Sequence, residues 1–168
     1  MYKNPACFGY FQSFLSVLNR RPNASAKLRG SNDYPDIKGT VNFYQTRLGV
    51  LVSAEVFGLP NCDADCCGSI FAFHIHRGRD CTGNSEDAFA DAMSHYNPEN
   101  CPHPYHAGDM PVLFGNNGYA FQIFLTDRFT VDEITGRTVI IHSNPDDFTT
   151  QPSGNAKVKI ACGEIEKL

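Results

Sequence analysis

The sequence predicts an all-β domain preceded by a short helical extension. Three observations carry this. Apolar residues recur at period two over several short runs, as the alternating faces of strands require. Gly (14) and Pro (10) are plentiful and cluster between those runs, as turns do. Phe is abundant (13) and sits with β-branched residues, the types that fit a pleated, half-buried surface. The 168 residues suffice for one domain with a full core. A composition of 42% hydrophobic and 19% charged residues is that of a globular chain.

In chain order, Asn4-Pro5 can open a helix, and Phe8, Phe11, Leu15 and Leu18 follow at helical spacing. Pro22 ends it. Residues 4–20 are therefore expected to be helical, within an extension of residues 1–24, and residues 25–168 to form the β domain. Val41 and Phe43, then Val50, Val52 and Val56, alternate around the turn Arg47-Leu48-Gly49. Ser69–His76, Tyr119–Thr126, Arg137–His142 and Ala156–Gly163 read as further strands. Asn116-Asn117-Gly118 is a tight-turn signal before the run Tyr119, Phe121, Ile123, Leu125. Strands this short and this dense indicate a sandwich or barrel. Residues 77–110 and 143–155 are long, polar connections, and loops of that length in a compact domain usually carry function. Within the first, Ser85–Met93 is expected to hold a helical turn.

No apolar run approaches the ~18 residues of a membrane span. The net charge of -4 argues against a nucleic-acid partner but leaves a small anionic substrate open. The Phe8–Leu18 run is broken by Gln12, Ser13 and Ser16 and followed by Arg20-Arg21-Pro22, so Ala24-Ser25-Ala26 is not read as a signal cleavage site. The expectation is a cytoplasmic protein, with a secreted or cell-surface location as the alternative.

All six histidines can be read into one bimetallic site. His74 and His76 alternate with Phe73 and Ile75 on a strand, so both imidazoles point to one side and can chelate one ion. His142 ends another strand and offers a third nitrogen. Imidazoles without thiolates suit copper, zinc, iron or nickel. His103-x-x-His106-x-x-Asp109 offers two nitrogens and one oxygen, and His95 would complete a four-coordinate zinc set.

On these residues the chain resembles a known family. Ala72-Phe-His-Ile-His-Arg-Gly78, His95-Tyr-Asn-Pro98, His106-Ala-Gly-Asp109, Gly136-Arg-Thr-Val-Ile-Ile-His142 and Gly154-Asn-Ala156 with Ala161-Cys162-Gly163 are similar, in order, to the signatures of the copper/zinc superoxide dismutases. The resemblance covers roughly residues 25–165. It implies an eight-stranded Greek-key β-barrel or sandwich whose long loops build the site. It further implies copper at His74, His76, His95 and His142, and zinc at His95, His103, His106 and Asp109. His95 would bridge the two ions and handle the proton that peroxide formation needs. Asp146 would link a copper histidine to a zinc histidine. Cys81 and Cys162 would form the family's disulfide. Lys159 stands where the family has an arginine that guides the anion, keeping the charge but losing the planar fork.

Two further departures are visible. The His103–His106 step is shorter than usual, and the stretch between His142 and Lys159 looks shortened. Seven cysteines leave at least one unpaired if the rest form intramolecular bridges. The pairing of Cys7, Cys62, Cys66, Cys67 and Cys101 stays open.

The expected activity is dismutation of superoxide, with copper and zinc as cofactors and a homodimer compatible with the sequence. The competing class is a non-enzymatic copper/zinc-binding or copper-delivery domain on the same fold. Such domains commonly lack a copper ligand, and no ligand is missing here. A cupin-type oxygenase would need a glutamate a few residues after His76, and Glu86 lies too far on.

Overall fold

The computed structural model describes residues 14–61 and 69–168. Among the described residues nine strands follow in order: β1 (Ala24–Gly30), β2 (Lys38–Thr46), β3 (Gly49–Phe57), β4 (Ile70–Phe71), β5 (Phe73–His76), β6 (Leu113–Phe114), β7 (Ala120–Thr126), β8 (Thr138–His142) and β9 (Lys159–Lys167). Of the expected N-terminal helix, residues 14–18 are helical, and the rest lies outside the described residues, as do Cys7, Cys62, Cys66 and Cys67.

Seven strands form one sheet in the order β5-β8-β9-β1-β2-β3-β7, and β4 pairs with β6 in a second. All of these pairings are antiparallel. Phe73 and Ile75, at one end of the row, and Ala120, at the other, pack in the same buried cluster. A sheet whose two ends share one core has to curl around it. Phe43 and Phe73 are fully buried there, and burying each such side chain is worth about 2–3 kcal/mol.

The all-β expectation holds, with two differences in detail. The segment read as one strand, Ser69–His76, divides at Ala72. Ile70 and Phe71 pair with β6, whereas Ala72 N donates to Asn144 O and Phe73 onward pairs with β8. One strand thus serves two sheets, and the count rises to nine. The last strand begins at Lys159 rather than Ala156 and runs on to Lys167, because Ala24–Ala26 of β1 pair with Ile165–Lys167.

The turns follow their residues. Thr46 pairs with Gly49 across the two-residue loop Arg47-Leu48. Asn117 and Gly118 both take positive φ (51° and 81°), the pair of angles that a tight hairpin turn demands. The expected turn within Ser85–Met93 is a 3-10 segment at Ala90–Ala92. Before β8, a helical turn at Val131–Ile134 is closed by a reciprocal cap between Thr130 and Glu133.

Register decides which face each strand buries. Val52, Ala54 and Val56 of β3 are in the core and lie opposite Phe124, Gln122 and Ala120 of β7. Phe121, Ile123 and Leu125, the run that marks the strand in the sequence, therefore face outward and are exposed.

Candidate metal centre

β5 is an edge strand, and the loop that follows it folds back along that edge. Arg77 N donates to Ser94 O, Tyr96 N to Ile75 O, Gly108 N to Tyr96 O, and Ile75 N to Gly108 O. His76 thereby bridges to His95, and His74 to Asp109. The approach is close enough to require glycine at 108, where a Cβ would lie 2.2 Å from Ile75 O. On the other side, β8 pairs His74 with Ile140 and His76 with Thr138. His142 closes β8 at an irregularity where its partner shifts to Lys159 of β9. Phe73 and Ile75 point into the main core, so His74, His76 and His142 emerge together on the opposite face.

Two ligand sets result. The ring nitrogens of His74, His76, His95 and His142 lie within 4.8 Å of one another, and so do the ligand atoms of His95, His103, His106 and Asp109. All seven residues are buried. His95 belongs to both sets; its Nδ1 faces Asp109 and His106, and its Nε2 is turned away from them.

In four of the rings, those of His74, His76, His103 and His142, a hydrogen bond to an oxygen fixes which nitrogen is free. A carbonyl or carboxylate oxygen only accepts, so the imidazole nitrogen facing it carries the proton. His76 Nδ1 donates to Met93 O (2.8 Å) and His142 Nδ1 to Lys157 O (3.3 Å). Their Nε2 atoms then hold lone pairs, and these face each other at 3.2 Å. Asp146 accepts from His74 Nε2 (2.7 Å) and from His103 Nε2 (2.8 Å). That leaves lone pairs on His74 Nδ1 and His103 Nδ1, two buried nitrogens without a hydrogen-bond partner. His103 Nδ1 lies 3.1 Å from Asp109 Oδ2, an acceptor against an acceptor. His95 Nε2 is likewise buried and without a partner, while His95 Nδ1 lies 2.8 Å from Asp109 Oδ1 and 3.3 Å from His106 Nδ1. Buried lone pairs crowded this closely are costly without a cation among them. Four imidazole nitrogens without a thiolate suit copper, and three nitrogens with one carboxylate suit tetrahedral zinc.

Burial lowers four of the histidines. Burial pushes His74 down to about 4, against the upward pull of Asp146. Burial, reinforced by His74, pushes His142 to about 3. His76 falls well below its ordinary value through burial and the neighbouring His142. Burial also lowers His106. Burial alone would raise Asp109, but the hydrogen bond with His95 and the surrounding imidazoles hold it below the ordinary carboxylate value. Asp146 opposes burial in the same way, through His74, the Phe148 N–H and His103, and settles at about 2.

The other sequence candidates also take defined places. Cys81 and Cys162 form a disulfide that ties the metal loop to β9, with Cα atoms 5.6 Å apart. Cys101 is a free thiol. Lys159 Nζ is held by Asp87 Oδ2 (2.7 Å) and Phe89 O (2.9 Å).

Several contributors were not singled out from the sequence. The carbonyls that orient His76 and His142 belong to Met93 and Lys157, both at positive φ (62° and 64°) without being glycine. Gly154, at φ 63°, faces Asp146 so closely that a Cβ would lie 1.9 Å from Oδ1. Gln151 brackets His103, accepting from its N–H (2.9 Å) and donating to its carbonyl (2.7 Å). Arg128 reaches the carbonyls of Pro104, His106 and Asp109. Only Gly154 carried a signal, as part of a motif.

Comparison with known proteins points the same way. The sequence profile of the family described as copper/zinc superoxide dismutase (SODC) matches residues 37–165. A Cu-Zn superoxide dismutase of Legionella pneumophila is 33% identical over 136 residues, covering 76% of this chain and 77% of that one. The Cu-Zn superoxide dismutase 2 of Aquifex aeolicus is 30% identical over 149 residues, covering 80% of this chain and 82% of that one. In three dimensions the chain is similar in fold to the Cu/Zn superoxide dismutase from Brucella abortus. The TM-score is 0.71 at 24% identity, covering 85% of this chain and 99% of that one.

Proposed function

The chain belongs to the copper/zinc superoxide dismutase family, and from that premise we propose how its residues carry the dismutation of superoxide. Two superoxide anions and two protons give one dioxygen and one hydrogen peroxide. Copper would be held by His74 Nδ1, His76 Nε2, His95 Nε2 and His142 Nε2. Zinc would be held by the Nδ1 atoms of His95, His103 and His106 and by the Asp109 carboxylate. Bound there, copper supplies one-electron oxidation of one superoxide and reduction of the next, and zinc supplies a redox-inert charge.

The remaining steps belong to the protein. His95 is the one imidazole with both nitrogens in ligand sets. Its Nε2 lone pair would hold either the copper or a proton but not both, so this ring is the group able to carry a proton that peroxide formation needs. Asp109 Oδ1 lies 2.8 Å from His95 Nδ1, so carboxylate and ring are placed to share one ion. Asp146 holds His74 and His103 in the tautomer that leaves both Nδ1 atoms free, coupling the two sets through one carboxylate. Lys159 lies opposite His142 across the β8–β9 pairing and places a positive charge beside the copper set, where it attracts an anion. Asp87 offsets part of that charge.

The shared His95 is the observation that carries this reading. A carrier domain needs only a copper set; two sets joined through one ring serve proton-coupled redox chemistry. His142→Ala tests it. Zinc is retained, copper binding weakens, and superoxide consumption falls by more than about a hundredfold, beyond what loss of a ligand's supporting partner brings. Unchanged activity in that variant contradicts the assignment. The reading includes a homodimer, favoured by the outward Phe121, Ile123 and Leu125 of β7. Sedimentation of a monomer at micromolar concentration removes that part.

A further inference from the structure

The short step between His103 and His106 leaves the zinc-ligand loop few residues with which to hold its own shape. Gln151 secures one end through both main-chain atoms of His103. The other end, from Pro104 to Asp109, is met by a residue 19 to 24 positions further along the chain. Arg128 Nη1 lies 3.0 Å from Pro104 O, 3.4 Å from His106 O and 3.3 Å from Asp109 O. Two of these carbonyls belong to ligand residues, and the third stands between the two histidines. One guanidinium nitrogen carries two hydrogens, so the three oxygens share them and are drawn toward a single point. The guanidinium itself springs from a fixed base. Its neighbour Phe129 is buried and meets Phe43 edge-on at a ring separation of 6.4 Å.

We propose that Arg128 is a positioning residue for zinc, converging the carbonyls of Pro104, His106 and Asp109 on one guanidinium so that His103, His106 and Asp109 are spaced for the ion before it binds. This rests on the reading that His95, His103, His106 and Asp109 form the zinc set. Of the three carbonyls, His106 O also accepts one main-chain bond, from Asp109 N (3.2 Å), and Arg128 adds a donor common to all three; an ordered loop presents its ligands without a further ordering cost on binding. Arginine stays charged at any working pH, so its donors to these carbonyls are never lost.

The test uses the full chain as unmodified protein, Arg128→Met, which keeps an apolar stem but no donor, and Arg128→Lys, which keeps the charge. Zinc affinity is measured by competition with a chromophoric chelator, and the geometry of the set is read from the visible bands of bound Co2+. Arg128→Met is expected to weaken zinc about tenfold or more, the range typical of lost supporting contacts, with weaker Co2+ bands. Arg128→Lys recovers part of that loss. Copper affinity, and the thermal midpoint of the metal-free chain, stay close to those of the unmodified protein. Zinc affinity unchanged in Arg128→Met overturns the proposal. So does a parallel fall in zinc affinity, copper affinity and metal-free stability, which marks ordinary scaffolding. If the unmodified chain itself takes up no zinc, the two-metal reading falls, and the role of Arg128 falls with it.

Discussion

Asp146→Asn exchanges one oxygen for a nitrogen and should weaken the metal set of whichever imidazole loses its acceptor. The carboxylate accepts three hydrogen bonds: from His74 Nε2 at 2.7 Å, His103 Nε2 at 2.8 Å and the Phe148 N–H at 2.7 Å. An amide keeps one accepting oxygen and places an NH2 against the second imidazole. Two donors then face each other in a pocket where both side chains are fully buried. That imidazole is relieved only by moving its proton from Nε2 to Nδ1, and Nδ1 is the ligand atom. Leaving one buried donor unsatisfied costs about 1–3 kcal/mol. At 1.4 kcal/mol per factor of ten, metal affinity should fall about ten- to a hundredfold. Backbone shape is preserved, because aspartate and asparagine are nearly isosteric. The assay is copper and zinc affinity by chelator competition, with far-ultraviolet circular dichroism as the folding control. A folded Asp146→Asn protein that binds both metals as tightly as the unmodified chain refutes the tautomer argument.

Three other outcomes are expected. Gly154→Ala puts a Cβ into a left-handed residue and against Asp146 Oδ1. It should lower the stability of the metal-free chain by at least about 1–2 kcal/mol, measured by denaturant unfolding, and loosen both metals. Acidification should destabilise the metal-free chain, because burial holds His74 at about 4 against an ordinary 6.5 and His142 at about 3. The unfolded chain gains protons from pH 6.5 downward while the folded chain does not, so stability is complete above pH 6.5 and is lost as pH falls toward 4 and 3. A thermal midpoint that stays flat from pH 7 to pH 4 contradicts this. Lys159→Met should leave metal content unchanged, slow superoxide consumption by less than about tenfold at low salt and flatten its ionic-strength dependence. An unaltered salt dependence excludes Lys159 from guidance.

Much of the site was legible because its chemistry lies in side-chain identity. His74 and His76 share a face by strand alternation alone. The His103–Asp109 spacing announces a chelating loop, and Asn117-Gly118 announces its turn. What escaped notice acts through main chain and register. Met93 and Lys157 orient ligands with carbonyls that every residue possesses, at positive φ values that their side chains do not advertise. Arg128 and Gln151 also meet backbone atoms, across 19 to 48 positions of sequence. The outward face of β7 is set by which residues lie opposite Val52 and Val56, and the composition of β7 alone suggests the reverse. The full length of β9 depends on β1 as a partner for its charged C-terminal half.

The central claim is that two ligand sets joined through His95 dismutate superoxide. Stopped-flow consumption of superoxide by the full chain, with copper and zinc content determined on the same sample, tests it most directly. The expected result is rapid consumption yielding dioxygen and peroxide in equal amounts, abolished when copper is withdrawn and restored when it is returned. Full occupancy of both sets, with superoxide decaying no faster than in buffer alone, contradicts it.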